Sequence, residues 1–361
     1  MKKLIWIPLF LILIACDTDD QNSSKSTPKE TVKARFTGIK NNDQFIAGND
    51  IHVKVQLKEP ENIKNLEIYF EDKVVFSGKP NSDFHVTPIN TDSSNVGFIN
   101  LKLIAEYDGE SNPYVDSRKI ILFSNIVPET KTVKILKKFP HDPESYTQGL
   151  EFDGNQLWEG TGQRGQSKIA KVNLNDGKVI AQTELERALF GEGITIFNDK
   201  VYQLTWQAGR CLVYDKNIMQ KTNEFNYSGE GWGLCNNGTH LIMTDGSSKI
   251  VFRDPETFQV VRTIFAFDHS KEWNMLNEIE WIDGKIYANV YQRTDIIVID
   301  PNSGKVLEVL DAYDVDRELK LENPNSDVLN GIAYNKEKRE TYITGKNFPY
   351  LAKVQFVADL P

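Results

Sequence analysis

Five short segments in the C-terminal two thirds of the chain place a polar or aromatic residue at the same point of a repeated pattern. That residue is followed usually by Gly and then by an apolar residue. The segments are Gln148-Gly149-Leu150, Glu192-Gly193-Ile194, Trp232-Gly233-Leu234, Asn277-Glu278-Ile279 and Asn330-Gly331-Ile332. Their five leading residues supply one carboxylate, three amides and one indole, whereas a purely structural repeat favours small or uniform residues. If they converge, they form a polar site for a small molecule, with Glu192 as the acid.

Further aromatic and basic residues stand at matched distances from these leading residues. Trp206 and Tyr291 each lie 14 positions after a leading residue, and Lys346 lies 16 positions after the last one. Tyr146 and Phe190 each lie two positions before a leading residue. One aromatic residue on a strand ordinarily belongs to a core, but five at matched offsets, the leading indole included, indicate the wall of a binding pocket.

The elements that must position these residues repeat as well. The leading residues are separated by 44, 40, 45 and 53 positions, and each is followed by a turn and a second strand pattern. Turn sequences such as Asn175-Asp176-Gly177-Lys178 and Asp254-Pro255-Glu256-Thr257 fall at matching places. A period of about 40–50 residues with several strands in each unit is typical of β-propeller blades. We therefore predict an all-β fold in which residues 130–361 form a five-bladed β-propeller with the leading residues around one mouth of its channel.

A propeller must also close its ring, because an open sheet edge exposes unpaired backbone groups. The segment Thr132-Val133-Lys134-Ile135-Leu136 precedes the first repeat and alternates polar and apolar residues. We expect it to complete the last blade beside Ala352-Lys353-Val354-Gln355-Phe356.

The preceding region, residues 32–127, alternates apolar and polar residues in short runs separated by turn residues, as in Ile51-His52-Val53-Lys54-Val55-Gln56-Leu57. This period of two predicts antiparallel strands, and we expect an immunoglobulin-like β-sandwich. The region carries no concentrated polar cluster, and fold alone assigns no activity. A spacer that holds the propeller away from a membrane is favoured over a ligand-binding or docking module.

The first residues of the chain indicate export. Two lysines precede an apolar run over residues 4–15 that is too short to span a bilayer. The run ends in Leu13-Ile14-Ala15-Cys16, which resembles the lipobox of bacterial lipoproteins. We interpret residues 1–16 as a lipoprotein signal peptide with lipidation at Cys16, the alternative being an ordinary signal peptide. Residues 17–31 are polar and aperiodic, as in a flexible tether, so we expect a lipoprotein of the cell envelope, anchored on the periplasmic side or at the cell surface.

Composition excludes several other classes of function. The 361 residues contain 42 Lys and Arg against 51 Asp and Glu, and no basic stretch could replace the counterions of a nucleic acid. Three Cys exclude a disulfide scaffold or a Cys-rich zinc module, and the five His lack metal-ligand spacing. No Gly-x-Ser-x-Gly motif occurs. We therefore expect no metal and no other cofactor, while Cys211 and Cys235 could pair in an oxidising compartment or remain free thiols.

The C-terminal motifs together resemble those of the glutaminyl cyclases of plant and bacterial type, also called glutamine cyclotransferases. The matching segments are Phe139-Pro140-His141-Asp142-Pro143, Tyr146-Thr147-Gln148-Gly149-Leu150, Phe190-Gly191-Glu192-Gly193, Gly231-Trp232-Gly233-Leu234, Leu276-Asn277-Glu278-Ile279-Glu280, Leu329-Asn330-Gly331-Ile332-Ala333 and Thr344-Gly345-Lys346. The resemblance implies a five-bladed propeller enzyme that converts the N-terminal glutamine of a peptide or protein into pyroglutamate and releases ammonia. Where plant relatives carry Phe and Trp, this chain has Tyr146 and Tyr291.

In that reaction the α-amine of the substrate attacks its own carboxamide, so the enzyme must move protons and shape a pocket. Glu192 matches the catalytic Glu of the family and is the expected proton shuttle. Gln148 and Asn277 are expected to hold the carboxamide or the oxyanion, and Lys346 to support the same charge or orient the carboxyl. The expected substrate-binding residues are Tyr146, Phe190, Trp206, Trp232, Tyr291 and Asn330.

Two other functions use the same ring of residues. Glu and two Asn at a propeller mouth are similar to the calcium-holding set of lactonase-type propellers, although that set usually includes an Asp and six blades. A non-enzymatic binding propeller at the cell surface is the third hypothesis. Two further polar residues, Glu159 and His141, are expected to be structural rather than catalytic.

Overall fold

The computed structural model describes residues 32–358, and within that range the fold is all-β, with a single α-helix, α1 (Tyr313–Lys320), among the strands. No helix in this range is long and apolar enough to cross a membrane. The predicted signal peptide, the tether and Cys16 lie outside the described residues.

The N-terminal strands form two sheets that pack around a shared apolar core. The strands are β1 (Ala34–Thr37), β2 (Gln44–Ile46), β3 (Ile51–Leu57), β4 (Ile63–Phe70), β5 (Lys73–Gly78), β6 (Phe84–Ile89), β7 (Gly97–Tyr107) and β8 (Tyr114–Phe123). One sheet has the order β1-β3-β6 and the other the order β2-β8-β7-β4-β5. In β3 the apolar residues are buried while His52 and Lys54 are exposed, as the period of two predicts.

The rest of the chain is built from groups of four strands. A long strand, β9 (Glu129–Pro140), comes first. The first three groups are β10 (Thr147–Asp153), β11 (Gln156–Thr161), β12 (Lys168–Val172), β13 (Val179–Glu184); β14 (Gly191–Phe197), β15 (Lys200–Thr205), β16 (Arg210–Asp215), β17 (Lys221–Asn226); and β18 (Leu234–Asn236), β19 (Leu241–Thr244), β20 (Lys249–Arg253), β21 (Val260–Phe265). Each group is a separate antiparallel sheet in sequence order.

Two more groups share one eight-stranded sheet. Their strands are β22 (Leu276–Ile282), β23 (Lys285–Val290), β24 (Asp295–Ile299), β25 (Val306–Asp311), β26 (Leu329–Asn335), β27 (Glu340–Gly345) and β28 (Tyr350–Ala358), with β9 between β25 and β28. In β9, Val133 pairs with Phe356 and Ile135 with Val354, which confirms the predicted closing strand. The start of β9 also runs parallel to β25, an arrangement that the sequence does not indicate.

The first strands of the five groups, β10, β14, β18, β22 and β26, contact one another in a closed cycle. The Gly after a leading residue permits this approach. A Cβ on Gly233 would lie 2.0 Å from the carbonyl oxygen of Asn277, and one on Gly149 would lie 2.4 Å from the backbone nitrogen of Ile194. These neighbours are backbone atoms that cannot rotate away, so a side chain at either position would push neighbouring first strands apart.

The N-terminal sheets share their core with the strand groups. Phe267, which follows β21, is buried within the apolar cluster of the N-terminal sheets. Its ring meets those of Phe98 and Phe123 edge-on, each with centroids 5.6 Å apart. Lys305 donates a hydrogen bond to Asn125 at 2.9 Å across the same boundary. The two regions therefore pack directly against each other, which a spacer on a linker does not require.

Cys211 and Cys235 are both buried and unpaired within the described part of the chain. Each lies in a strand of a different group, β16 and β18, inside an apolar cluster. Of the two alternatives that the sequence leaves open, the structure has free thiols.

Candidate active site

The leading residues lie where the pairing between first and second strands is interrupted. The register shifts between Thr147 and Gly149 in β10 and between Gly191 and Ile194 in β14, and it shifts in the same way in β22 and β26. A bulge of this kind redirects the side chain of the unpaired residue. In the third group, β18 starts only at Leu234, so the leading indole of Trp232 precedes its strand.

These interruptions surround one cavity of about 190 Å³. It is lined by Tyr146, Gln148, Phe190, Glu192, Trp206, Trp232, Asn277, Tyr291 and Lys346. Sites for drug-sized ligands usually have about 300–1,000 Å³, so this one suits a group of the size of one amino-acid residue. Nine of the ten described residues that the sequence assigns to the site therefore come together.

Asn330 is the exception, because it does not line the cavity. It is fully buried behind Gln148, where its Nδ2 donates to the carbonyl oxygen of Thr147 at 2.9 Å and to Oε1 of Gln148 at 3.1 Å. The fifth leading residue thus contacts the first one instead of facing the cavity. The hydrogen bond from Asn330 fixes the orientation of the Gln148 amide. Because Oε1 of Gln148 faces Asn330, Nε2 of Gln148 points away from Asn330.

Glu192 is the carboxylic acid among the lining residues, and its side chain is 4% exposed. Gln148 Nε2 donates a hydrogen bond to Oε1 of Glu192 at 3.0 Å. Within residues 32–358 no other side chain donates to this carboxyl, so Oε2 is available to a ligand. Burial raises the pKa of Glu192 well above its usual range, while the positive charge of Lys346 lowers it in part and the negative charge of Glu230 adds to the rise.

Asn277 brings an acceptor without a partner to the same cavity. Its side chain is 2% exposed, and Oδ1 has no hydrogen-bond partner among the described residues. A buried carbonyl oxygen normally has a donor. Asn277 is therefore a position at which an N–H group of a ligand would be stabilised.

The aromatic wall of the cavity consists of two chains of ring contacts. One joins Tyr146 to Phe190 at 6.1 Å and Phe190 to Trp206 at 5.6 Å, and the other joins Trp232 to Tyr291 at 5.5 Å. All three contacts are edge-to-face, the favourable arrangement for aromatic pairs.

Lys346 lies between the last ring of one chain and the last ring of the other. Its Nζ lies 4.9 Å from the ring centroids of both Tyr146 and Tyr291, within the range of a cation–π contact. Burial lowers the pKa of Lys346, and the negative charges of Glu192 and Asp327 partly offset that effect. The ammonium group and the carboxyl thus act on each other's pKa without forming an ion pair shorter than 4.0 Å among the described residues.

Sequence reasoning missed two acidic residues beside the cavity. Oε2 of Glu230 accepts hydrogen bonds from the indole Nε1 atoms of Trp206 and Trp232, and Oδ2 of Asp327 accepts one from the hydroxyl group of Tyr146. Glu230 lies two positions before a leading residue, the same offset that identifies two of the aromatic residues, so the sequence does contain a signal for it. No repeat offset marks Asp327.

Glu159 and His141 lie behind the site and do not line the cavity. Both are buried, and His141 Nε2 contacts Oε1 of Glu159 at 3.1 Å. The same oxygen accepts a hydrogen bond from Thr147 at 2.7 Å. Because Thr147 directly precedes Gln148, this buried ion pair supports the strand that carries the site, in agreement with the structural role expected for both residues.

Comparisons with known proteins give one consistent result. A family profile described as glutamine cyclotransferase matches residues 116–356. A glutaminyl-peptide cyclotransferase of Arabidopsis thaliana is 34% identical over 226 residues, which are 62% of this chain and 71% of that protein. The crystal structure of a Myxococcus xanthus glutaminyl cyclase superimposes with a TM-score of 0.61 at 31% identity, covering 65% of this chain and all of that one.

Proposed function

The chain belongs to the glutamine cyclotransferase family, and we propose that it converts the N-terminal glutamine of a peptide or protein into pyroglutamate with Glu192 as the proton shuttle. The observation that carries this assignment is the buried carboxyl of Glu192, held by Gln148 in a cavity the size of one residue. An enzyme of the glutaminyl-peptide cyclotransferase type needs this combination of a proton carrier and a small pocket.

We interpret the five groups of strands as the blades of a propeller that spans residues 130–361. The closed cycle of first strands and the shared role of β9 support this interpretation, because together they join the last group to the others. The two N-terminal sheets support an immunoglobulin-like sandwich over residues 32–127. In this arrangement the cavity lies where the first strands converge.

The substrate glutamine side chain would enter between the aromatic rings, which exclude water from it. The free Oδ1 of Asn277 is suited to accept an N–H of the carboxamide. Lys346 offers a positive charge to the oxygen on which negative charge develops during attack. These contacts would orient the carboxamide toward the α-amine of the same residue.

The chemistry requires one proton to move twice. The α-amine nitrogen bonds to the carboxamide carbon and transfers a proton to the Glu192 carboxylate. The protonated carboxyl then gives a proton to the departing nitrogen, the carbon–nitrogen bond breaks, and ammonia leaves with the pyroglutamyl ring closed. A raised pKa makes the Glu192 carboxylate a stronger base for the first transfer.

The test is release of ammonia from a glutaminyl dipeptide by the full chain, with and without a chelator. We expect activity that survives chelation, and a fall in kcat of about 10²–10⁴-fold in Glu192→Gln. Glu256→Gln is the matched control, because this carboxylate is exposed and pairs with Lys200 away from the cavity. An inactive wild-type protein contradicts the proposed activity, wild-type rates in Glu192→Gln contradict the role of the carboxyl, and loss of activity on chelation would favour a calcium enzyme.

We also propose that the protein is anchored in the cell envelope through a lipid on Cys16, a proposal that rests on the sequence Leu13-Ile14-Ala15-Cys16. The wild-type protein should fractionate with membranes and incorporate labelled fatty acid. Cys16→Ser should do neither. Equal membrane association of the two proteins would contradict the anchor.

A further inference from the structure

Two charged side chains bridge the two chains of aromatic rings in the pocket wall, one at each pair of terminal rings. Lys346 lies over the rings at one pair of ends, Tyr146 and Tyr291. At the other pair, Trp206 and Trp232, a carboxylate receives both indole N–H groups. That carboxylate belongs to Glu230, which does not line the cavity.

We propose that Glu230 is a positioning residue of the proposed cyclase reaction, which sets the shape of the pocket by fixing both indoles and sets the electrostatics of the site through its charge. The inference rests on the proposed function, because it concerns the same cavity. It assigns a role to a residue that never needs to touch the substrate.

The geometry of the contact is unusually restrictive, because one oxygen atom serves both rings. Trp206 Nε1 donates to Oε2 of Glu230 at 2.8 Å, and Trp232 Nε1 donates to the same atom at 2.9 Å. Among the described residues, the other oxygen, Oε1, accepts only a longer hydrogen bond of 3.3 Å from the exposed side chain of Gln207. The position of a single oxygen therefore constrains both indole rings, in addition to the backbone hydrogen bonds and ring contacts that each tryptophan makes.

This oxygen also joins two groups of strands, next to a backbone hydrogen bond of 3.1 Å from the Gly231 nitrogen to the carbonyl oxygen of Trp206. Trp206 follows the second strand of the second group, whereas Trp232 precedes the first strand of the third group. Hydrogen bonds to an ionised acceptor are stronger than those between neutral groups. They would hold the width of the pocket at the junction of the two groups, where the substrate side chain must fit between rings.

The charge of Glu230 has a second consequence, because it acts on Glu192. Its negative charge adds to the rise in the pKa of Glu192 that burial causes, and Lys346 acts in the opposite direction. Tyr146 and Tyr227 also interact electrostatically with Glu192, but burial raises the pKa of each, so both stay neutral at ordinary pH. Glu230 and Lys346 are therefore the charged groups whose removal should change the protonation of Glu192.

Two substitutions separate geometry from charge. Glu230→Gln removes the charge but retains an oxygen at the position of Oε2, and the exposed amide of Gln207 can rotate to accept its new N–H. Glu230→Asp retains the charge but withdraws the oxygen by one methylene, so that it can no longer reach both indoles. Kinetics as a function of pH and tryptophan fluorescence would be measured for both variants, with Glu256→Gln as the control.

For Glu230→Gln we expect a wild-type emission spectrum and a KM close to the wild-type value. The acid limb of its kcat/KM profile should move to lower pH, because the pKa of Glu192 falls when a negative neighbour is removed. For Glu230→Asp we expect an altered emission spectrum, a KM raised about tenfold or more for the loss of one charged hydrogen bond, and an acid limb at its wild-type position.

The inference is overturned if Glu230→Asp has wild-type KM and emission, or if the acid limb of Glu230→Gln does not move. Its failure differs from a failure of the proposed function. In the latter case the wild-type protein itself would release no ammonia, whereas the emission of Glu230→Asp would still report whether the carboxylate positions the indoles.

Discussion

Substitution of one buried carboxylate behind the site should lower the free energy of unfolding. The structure determines both the size of this loss and its dependence on pH. Glu159 accepts hydrogen bonds from His141 at 3.1 Å, Thr147 at 2.7 Å and Ser145 at 3.3 Å, and all four side chains are buried. Since Thr147 and Ser145 belong to the segment that leads into Gln148, the carboxylate organises the entry to the first strand of the site. The perturbation is Glu159→Gln.

The charge state of the pair follows from its surroundings. Nδ1 of His141 faces the carbonyl oxygen of Phe348 at 2.7 Å and Nε2 faces the Glu159 carboxylate, so both nitrogens contact acceptors and both must carry protons. Burial alone would lower the pKa of His141, but the charge and hydrogen bond of Glu159 outweigh it and the pKa is raised. Burial alone would raise the pKa of Glu159, and the charge and hydrogen bond of His141 outweigh that effect and lower it.

The pKa shifts of His141 and Glu159 define a pH range in which both residues contribute fully to stability. The contribution of His141 to stability is complete below its reference pKa of 6.5 and is lost as the pH rises through its higher folded-state value. The contribution of Glu159 is complete above its reference pKa of 4.5 and is lost as the pH falls through its lower folded-state value. Both are therefore complete between pH 4.5 and 6.5.

Within this window, removal of one partner from a buried pair should lower the free energy of unfolding by about 3–5 kcal/mol, a large part of the ~5–15 kcal/mol that a domain has. The loss should shrink at higher pH, because the unpaired imidazole can then release its proton at little cost. Urea denaturation at pH 5.5 and pH 8 measures both values. Glu144→Gln, an exposed carboxylate on the same loop, is the control. A loss below about 1 kcal/mol at pH 5.5, or one that does not change with pH, would refute the reasoning.

Three further substitutions test other parts of the structure. The melting temperature of Glu192→Gln should rise relative to that of the wild type as the pH increases, because a carboxyl whose pKa is raised in the folded state opposes folding once it ionises. Equal melting temperatures for the two proteins at every pH would contradict this. Gly233→Ala should yield little folded protein in a solubility and circular-dichroism assay, since its Cβ would lie 2.0 Å from a backbone oxygen; a wild-type melting temperature would show that the first strands can separate. Phe267→Ala should lower the free energy of unfolding, measured by urea denaturation, by about 3–5 kcal/mol. Because Phe267 lies in the core of the N-terminal sheets, we expect both regions to lose stability in one transition. Destabilisation of the N-terminal region alone would show that the two cores are independent.

Much of the candidate site could be predicted because the chain repeats. Each first strand follows the same local path, so residues at equal offsets, such as Tyr146 and Phe190 or Trp206 and Tyr291, reach equivalent places around one cavity. The longest spacing, 53 positions before Asn330, contains helix α1, which lies between β25 and β26. An inserted helix lengthens the repeat without moving the first strand that follows it.

The exceptions have a different origin. Asn330 occupies the expected place in the repeat, yet its amide turns to Gln148 because two buried amides satisfy each other there. The position of Phe267 in the core of the N-terminal sheets depends on how two regions dock, and periodicity within either region contains no information about that contact.

The sequence by itself determined which residues could meet, since strand periodicity, the Gly after four of the five leading residues and the repeat spacing are local properties of the chain. Only the tertiary structure decided what those residues do to one another. The pKa of Glu192, the lowered pKa of Lys346 and the shared oxygen of Glu230 all depend on burial and on distances between different strand groups. Desolvation and Coulomb interactions act through space, so groups that are far apart in the sequence acquire their chemistry when packing removes the water between them.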